Sequence, residues 1–327
     1  MGAWLDYGKI SWWPLEFSRQ YITQPLGICE DFGFIGVSLI FLTSGFLITH
    51  SGQKENRKEF SVKRLLRIYP ALIVSIIIIL GVYFVYSIIT QAPTYFSSFS
   101  PQDIILSMSL LNYIVTPVNA VNGVAWILLV QGIFYLACFL LLPFLNKKPL
   151  KSIAILLAFC VLTTALASEF GQNFLLFAIS ASYIPYIVLG QVFYYFWERR
   201  ITKVQFAVFS ITTFFVSISG MSTLRPDFLE PYTISFLYAY IIFVAALLLT
   251  KRIQPGRILG FFSKISYSFY LNNTVSNLFL VILFPIVGYE ISLGVAFALL
   301  TSIAYLSWRF VEQPSKKIIR AILKNTN

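Results

Sequence analysis

The chain has 327 residues, of which 58% are hydrophobic and 11% are charged, and its mean hydropathy is +0.79. These values exclude an ordinary soluble domain and indicate a protein whose main solvent is lipid. The formal net charge of +11 could suit a nucleic-acid binder, but the cations lie beside apolar runs, so nucleic acid is not an expected partner. The three cysteines, Cys29, Cys138 and Cys160, are not spaced as in a disulfide framework or as metal ligands, so neither disulfides nor a metal centre is expected.

Nine apolar segments follow one another along the chain, each long enough to cross ~30 Å of hydrocarbon as a helix. They are residues 32–49, 70–90, 124–145, 152–167, 173–196, 204–220, 233–250, 265–284 and 291–308. A shorter run, Ile104 to Val115, is too brief for a crossing and indicates an interfacial or re-entrant segment. The predicted fold class is therefore all-α, a polytopic transmembrane helix bundle of about nine spans plus this short segment.

The lysines and arginines predict the orientation of the bundle. Of the 24, 21 fall in alternate connecting segments, which the positive-inside rule places in the cytoplasm. These segments are residues 51–69, 146–151, 197–203, 251–264 and 309–327. The same cations are expected to meet anionic lipid headgroups. The prediction divides the chain into an extracytoplasmic segment 1–31, a membrane domain 32–318 and a cytoplasmic tail 319–327.

The outside position of residues 1–31 is unusual, because this segment has no basic n-region and no continuous apolar h-region. Two explanations are open. The short tail crosses unaided, or the natural protein has one more helix upstream of Met1.

Five short motifs occur in a fixed order along the apolar segments. They read FIGVSLIFLTSGFLI at 34–48, KRLLRIYP at 63–70, WILLVQGIFY at 126–135, YSFYLNN at 267–273 and RFVEQP at 309–314. In this order they resemble the motifs of the integral-membrane acyltransferase family 3, whose members modify O-antigens, exopolysaccharides and other surface glycans. The resemblance covers about residues 32 to 318.

The resemblance implies transfer of an acyl group, with acetyl expected, from a cytoplasmic acyl-CoA to a hydroxyl of a cell-surface glycan or its lipid-linked precursor. Acyl-CoA would be the donor substrate, and no bound cofactor is implied. The expected partners are the glycan acceptor, the acyl-CoA donor and membrane lipids, and the oligomeric state is open. The expected location is the bacterial cytoplasmic membrane, with the C-terminus in the cytoplasm.

The departures from the family pattern concern proton transfer. The family's first helix, with its His, has no counterpart, which is consistent with one more helix upstream. The usual Glu is Gln131 and the usual His is Asn273, and both amides keep hydrogen bonding but cannot act as bases. With Glu312 they are weak catalytic candidates, and the catalytic residue is unassigned. His50, the single His, is best explained as a headgroup-level polar residue.

Arg64 and Arg67 are the candidate donor-binding residues. Their spacing of three places them on one face of a helix, where both could grip a phosphate through bidentate hydrogen bonds. The positive-inside rule explains basic residues in this loop without any ligand. Spacing alone favours that topological role, and the family resemblance favours donor binding.

The candidate substrate-pocket residues lie in or beside the motifs, and they are Ser44, Trp126, Tyr135, Tyr267, Tyr270 and Asn272. Amides at membrane depth, Gln131, Asn272, Asn273 and Asn277, indicate an internal polar pocket. Hydrogen bonds between helices explain them equally well, and close packing explains Gly45 and Gly190.

For Glu312, an ion pair with Arg309 at spacing i, i+3 explains the residue as readily as catalysis does. Two other classes of protein also remain open. A transporter or flippase would explain the polar amides, and a catalytically silent relative acting as a binding or assembly partner would explain the missing His.

The topology yields a direct test with single cysteines in a cysteine-free background. A cysteine at Asn56 should not react with a membrane-impermeant thiol reagent in intact cells, whereas a cysteine in the outer loop 91–123 should react. Labelling at position 56 would contradict the predicted orientation.

Overall fold

The computed structural model describes residues 12–30, 32–90, 99–250 and 256–324. Parts of the predicted segments 1–31, 91–123, 251–264 and 319–327 therefore lie outside the described residues. No strand occurs within the described ranges, and helices account for most of the described residues, which confirms the all-α fold class.

Fifteen helices are used below, numbered in chain order within the described residues. They are α1 Trp13–Ser18, α2 Gly33–Gly52, α3 Arg57–Thr90, α4 Pro101–Ser109, α5 Trp126–Leu140, α6 Leu142–Lys147, α7 Pro149–Ala165, α8 Gln172–Ala181, α9 Ile184–Trp197, α10 Lys203–Leu224, α11 Leu229–Leu249, α12 Arg257–Leu271, α13 Asn273–Val287, α14 Tyr289–Ser307 and α15 Gln313–Lys324. Five residues of π-helix, Trp308–Glu312, join α14 to α15.

Six helical stretches within the described residues are long and apolar enough to cross a membrane, which confirms a multi-pass protein. They are Gly33–Gly52, Arg57–Ile88, Gln172–Trp197, Lys203–Leu224, Pro226–Leu249 and Tyr289–Lys324. The predicted spans 124–145 and 152–167 correspond to the shorter apolar helices α5 and α7. The eighth predicted span, 265–284, corresponds to the pair α12 and α13.

The prediction of one continuous span at 265–284 is wrong, because α12 and α13 meet at a bend of 74°. Asn272 separates them. Its side-chain Nδ2 donates to the Ser268 carbonyl over 2.8 Å, and its backbone N–H donates to the same carbonyl over 3.1 Å. An Asn that bonds its own helix in this way competes with the regular ladder and favours a helix end.

Contacts divide the chain into two compact units, residues 1–55 with 130–254 and residues 56–129 with 255–327. In the first unit, α2 packs against α9 and α11, and α9 packs against α7 and α10. In the second unit, α3 packs against α4, α12, α13 and α15, while α14 packs against α12 and α13.

Two glycines set the closest helix crossing of the first unit. A Cβ at Gly45 would lie 1.8 Å from the carbonyl oxygen of Ile187, and a Cβ at Gly190 would lie 2.1 Å from that of Leu42. Only hydrogen on Cα allows backbones to approach this closely, so the packing role expected for both glycines is confirmed.

In the second unit, α3 begins earlier than predicted. Asn56 and Glu59 form a reciprocal cap, in which each side chain accepts from the other's backbone N–H over 3.3 and 2.9 Å. The basic loop therefore continues as helix, and Pro70, expected at a helix start, lies inside α3. At about 1.5 Å per residue, the 34 residues of α3 reach about 51 Å, well beyond the hydrocarbon thickness.

The run predicted as an interfacial or re-entrant segment forms α4 and a short 3-10 turn, Leu111–Tyr113. Ser100 caps α4, and Asp103 completes the capping box and also accepts the Asn119 N–H over 2.8 Å. Donation from the backbone N–H of Asn119, and then from Ser100, holds the pKa of the Asp103 carboxyl below its usual value. This contribution to folding is present at neutral pH and is lost as the pH falls through the lowered pKa.

The close crossing of α2 and α9 predicts a sharp difference between two glycines on one helix. Gly45→Ala should destabilise the fold by about 1–3 kcal/mol, because two backbones must move apart. Gly36→Ala, also on α2, meets nothing within 4 Å and serves as the matched control. Thermal unfolding of the purified protein measures both. Equal unfolding temperatures for Gly45→Ala and the wild type would contradict the crossing.

Candidate functional site

A basic cleft of about 530 Å³ lies in the second unit. Residues of α3, α12, α15 and the π-helical turn line it, namely Lys63, Arg64, Leu66, Arg67, Ser263, Lys264, Ser266, Tyr267, Trp308, Glu312, Ser315, Lys316 and Ile319. Five of these side chains are cations and one is a carboxylate. So many like charges around one space are suited to a compact polyanion.

Both predicted donor-binding arginines line this cleft. Arg64 is 9% exposed, and its guanidinium lies 4.9 Å from the centre of the Phe60 ring. A guanidinium packed on an aromatic face keeps its N–H groups directed along its own plane. Arg67 is exposed to solvent. The structure thus offers one buried and one exposed guanidinium to the same space.

Glu312 enters the cleft from the π-helical turn that joins α14 to α15. Its Oε1 accepts a hydrogen bond from the hydroxyl of Ser268, which lies 3.1 Å from the hydroxyl of Ser307. The proposed Arg309–Glu312 ion pair is wrong for this structure, because Arg309 bonds Gln313 over 3.5 Å instead. The π-helical turn changes the residue spacing on which the i, i+3 pair depended.

Tyr267 also lines the cleft, and its hydroxyl donates to the Ile68 carbonyl over 3.3 Å. This bond links α12 to α3 at the level of the arginines.

A second polar group surrounds the break between α12 and α13. The Leu271 carbonyl accepts hydrogen bonds from the Ser75 hydroxyl and from Nδ2 of Asn122, each over 2.9 Å. The Asn122 Oδ1 accepts from Val124 N–H over 3.2 Å and from the Thr274 hydroxyl over 3.3 Å. Since Asn122 is 1% exposed and its amide is bonded at both ends, it acts as a fixed polar hub.

The candidate residues Tyr270, Asn272 and Asn273 lie at this break. The Tyr270 hydroxyl donates to the Val124 carbonyl. Asn272 is fully buried, and its Oδ1 has no hydrogen-bond partner among the described residues. Asn273 joins Tyr270 along a groove of about 370 Å³ that is otherwise lined by Phe262, Ser266 and Phe269.

The remaining candidate residues line neither the basic cleft nor the groove beside the break. In the first unit, Nε2 of the buried Gln131 donates to the Ser44 hydroxyl over 2.8 Å, and Tyr135 lies half-buried further along α5. Trp126 is half-buried at the start of α5. Asn277 is exposed, so its expected place in an internal polar pocket is wrong.

His50 belongs to the first unit. Its Nδ1 lies 3.2 Å from the Tyr194 hydroxyl, and its Nε2 lies 3.5 Å from Nζ of Lys54. Neither neighbour is a carboxylate, which is the group that would orient the imidazole ring for action as a base.

Several residues of the site were missed by sequence reasoning. Ser75 and Asn122 carry the hydrogen bonds of the break, Ser268 holds Glu312, and Lys264 and Trp308 complete the cleft. Ser268 could have been found, since it lies inside the motif YSFYLNN. The others had no signal beyond a lone polar or aromatic residue beside an apolar run.

A comparison with known protein families identifies the family to which this chain belongs. The model of the acyltransferase family 3, described as an acyltransferase domain, matches residues 3–311. The chain belongs to this family. No curated protein and no solved structure gives a significant match. The protein is therefore a multi-pass membrane acyltransferase. The helix break lies within the matched residues, as do the cleft residues up to Trp308, and the cleft residues Glu312, Ser315, Lys316 and Ile319 follow the match.

The polar hub of this acyltransferase predicts an asymmetry between two asparagines. Asn122→Ala removes the amide that bonds Leu271 and Ser75, and it should cost about 1–3 kcal/mol of stability because buried partners lose their hydrogen bonds. Asn277→Ala, at an exposed position, should change stability by less than about 0.5 kcal/mol. Thermal unfolding in detergent compares the two. An equal effect of both substitutions would show that Asn122 is not a hub.

Proposed function

We propose that the protein is an O-acyltransferase of the bacterial cytoplasmic membrane. It transfers an acyl group, with acetyl expected, from acyl-CoA to a hydroxyl of a cell-surface glycan or of its lipid-linked precursor. Family membership supports the acyl transfer, and the motifs that resemble glycan-modifying members support the acceptor. The observation that carries the choice of donor is the basic cleft.

The cleft suits acyl-CoA in charge and in position. CoA carries a pyrophosphate and a 3′-phosphate, and phosphate oxygens form strong charge-assisted hydrogen bonds with guanidinium and ammonium groups. Lys63, Arg64 and Arg67 belong to the basic segment 51–69, which the positive-inside rule places in the cytoplasm. Acyl-CoA is present in that compartment, so the charged end of the donor would meet the cleft directly.

The reaction sets requirements for the rest of the site. The acceptor hydroxyl oxygen attacks the thioester carbonyl carbon, the carbon–sulfur bond breaks, and the hydroxyl proton must pass to a base. Gln131 and Asn273 can donate hydrogen bonds to a developing oxyanion but cannot accept the proton. Of the three catalytic candidates, only Glu312 has a group that can.

The two alternative interpretations of the sequence each have one observation in their favour, although family membership favours the acyltransferase. The amides at Gln131 and Asn273, and the bonding of Gln131 to Ser44, favour a silent relative that acts as a binding or assembly partner. The 74° break favours a transporter, because broken helices often form substrate sites. Against the transporter, the Leu271 carbonyl at the break already accepts two hydrogen bonds within the protein.

The donor assignment is tested by substitution of the cleft arginines. Arg64→Gln and Arg67→Gln should each weaken binding of acetyl-CoA to the purified protein by roughly 10- to 100-fold, because each removes charge-assisted hydrogen bonds to phosphate. Lysine at either position should restore affinity only in part, because it lacks the planar fork.

Arg320→Gln is the matched control, since Arg320 is an exposed cation of α15 that does not line the cleft. Arg67 gives the cleaner result, because it is exposed and its loss should not disturb folding. If donor affinity falls equally in Arg67→Gln and Arg320→Gln, only general charge attraction is at work. If affinity is unchanged in the Arg64→Gln/Arg67→Gln double variant, acyl-CoA does not bind at this cleft.

A further inference from the structure

Two residues of the basic cleft are not suited to phosphate. Trp308 and Glu312 begin and end the π-helical turn, and both line the same space as the five cations. Trp308 is half-buried, and its ring centre lies 5.8 Å from that of Tyr305 on α14. The wall of the cleft formed by this turn is therefore aromatic and acidic, in contrast to the basic wall formed by α3.

A carboxylate repels phosphate, so its presence in an anion-binding cleft needs an explanation. Pairing with the cations does not explain it, because within the described residues Glu312 forms no ion pair and is bonded to Ser268. With Oε1 bonded to Ser268, Oε2 is left to accept a hydrogen bond from a neutral donor. A ligand that carries phosphates together with hydroxyl or amino groups would satisfy both walls.

We propose that Trp308 and Glu312 form a nucleoside subsite, in which the Trp308 ring stacks on a purine base and Glu312 accepts a hydrogen bond from the nucleoside. The donor to Glu312 would be the exocyclic amine of adenine or the ribose 2′-hydroxyl. This inference rests on the proposed function, since it assigns the adenosine part of acyl-CoA to one wall of the cleft and its phosphates to the other. Stacking on an indole ring is worth roughly tenfold in affinity or more.

Ser268 and Ser307 act as positioning residues for Glu312. A hydroxyl has one proton and an ionised carboxylate only accepts, so Ser268 donates to Glu312 and Ser307 donates to Ser268. Both hydroxyls are buried, at 0% and 5% exposure, where this chain of bonds is protected from water. Ser268 on α12 thereby fixes the carboxylate that the π-helical turn brings into the cleft.

Binding of three probes to the purified full chain separates the two walls. The probes are CoA, adenosine 3′,5′-bisphosphate, which lacks the pantetheine arm, and 4′-phosphopantetheine, which lacks the nucleoside. Trp308→Ala should weaken the binding of CoA and of the bisphosphate by roughly tenfold and leave 4′-phosphopantetheine unchanged. Trp308→Phe should retain most of the affinity. Phe310→Ala, which removes an exposed ring of the same turn that does not line the cleft, is the matched control and should bind all three normally.

The role of Glu312 is measured as discrimination between nucleosides. The wild type should prefer adenosine 3′,5′-bisphosphate over at least one of its inosine and 2′-deoxy analogues, which lack the amine and the hydroxyl respectively. Glu312→Gln should lose this preference while binding 4′-phosphopantetheine at least as tightly, because a negative charge leaves the cleft. Ser268→Ala should lose it in part, and Ser268→Thr, which keeps a hydroxyl, should restore it.

Each result either supports or overturns the subsite. Unchanged bisphosphate binding in Trp308→Ala, or equal affinity of the wild type for CoA and 4′-phosphopantetheine, would overturn it. If CoA binding is nevertheless lost in Arg67→Gln, the donor assignment survives that failure. Conversely, bisphosphate binding that depends on Trp308 in a protein that does not bind CoA would support the subsite and overturn the choice of donor.

Discussion

The pair of hydrogen bonds accepted by the Leu271 carbonyl is the interaction on which the second unit depends. Inside a bilayer no water can satisfy a carbonyl freed by a broken helix, so such a break survives only where the protein supplies the donors. Ser75 of α3 and Asn122, in the segment before α5, supply them. Because these bonds fix the end of α12, they also fix the face of α12 that carries Tyr267 and Ser266 into the cleft.

The basic cleft concentrates positive charge, whereas the polar hub consists of neutral hydrogen-bonding groups. Five cations around about 530 Å³ repel one another, and the arrangement is favourable only while water or a polyanion screens them. Packing of Arg64 on Phe60 places one of these charges in advance, which reduces the entropy lost when a phosphate binds. The density of positive charge and the packed guanidinium of Arg64 are the features that support the proposed binding of acyl-CoA at this cleft.

Sequence patterns were sufficient for the features that depend on many residues at once. Hydropathy over long windows predicted the helical segments, and motif order predicted the family, since each averages over local exceptions. The break at Asn272 was missed because it depends on Ser75 and Asn122, which are distant in sequence. The start of α3 was placed too late because its cap, Asn56 with Glu59, lies in a polar stretch that hydropathy reads as loop.

Glu312 shows why a motif residue needs its structural surroundings before it is given a role. In a regular helix, the sequence RFVEQP would place Arg309 beside Glu312 and neutralise both at the interface. The π-helical turn prevents this, Arg309 bonds Gln313, and Ser268 receives the carboxylate instead. The carboxylate is therefore held in the cleft by a hydrogen bond from a neutral hydroxyl, which leaves its second oxygen to accept a hydrogen bond from a ligand. Since π-helical turns tend to occur at functional sites, the distortion supports the proposed role of Trp308 and Glu312 in binding the donor.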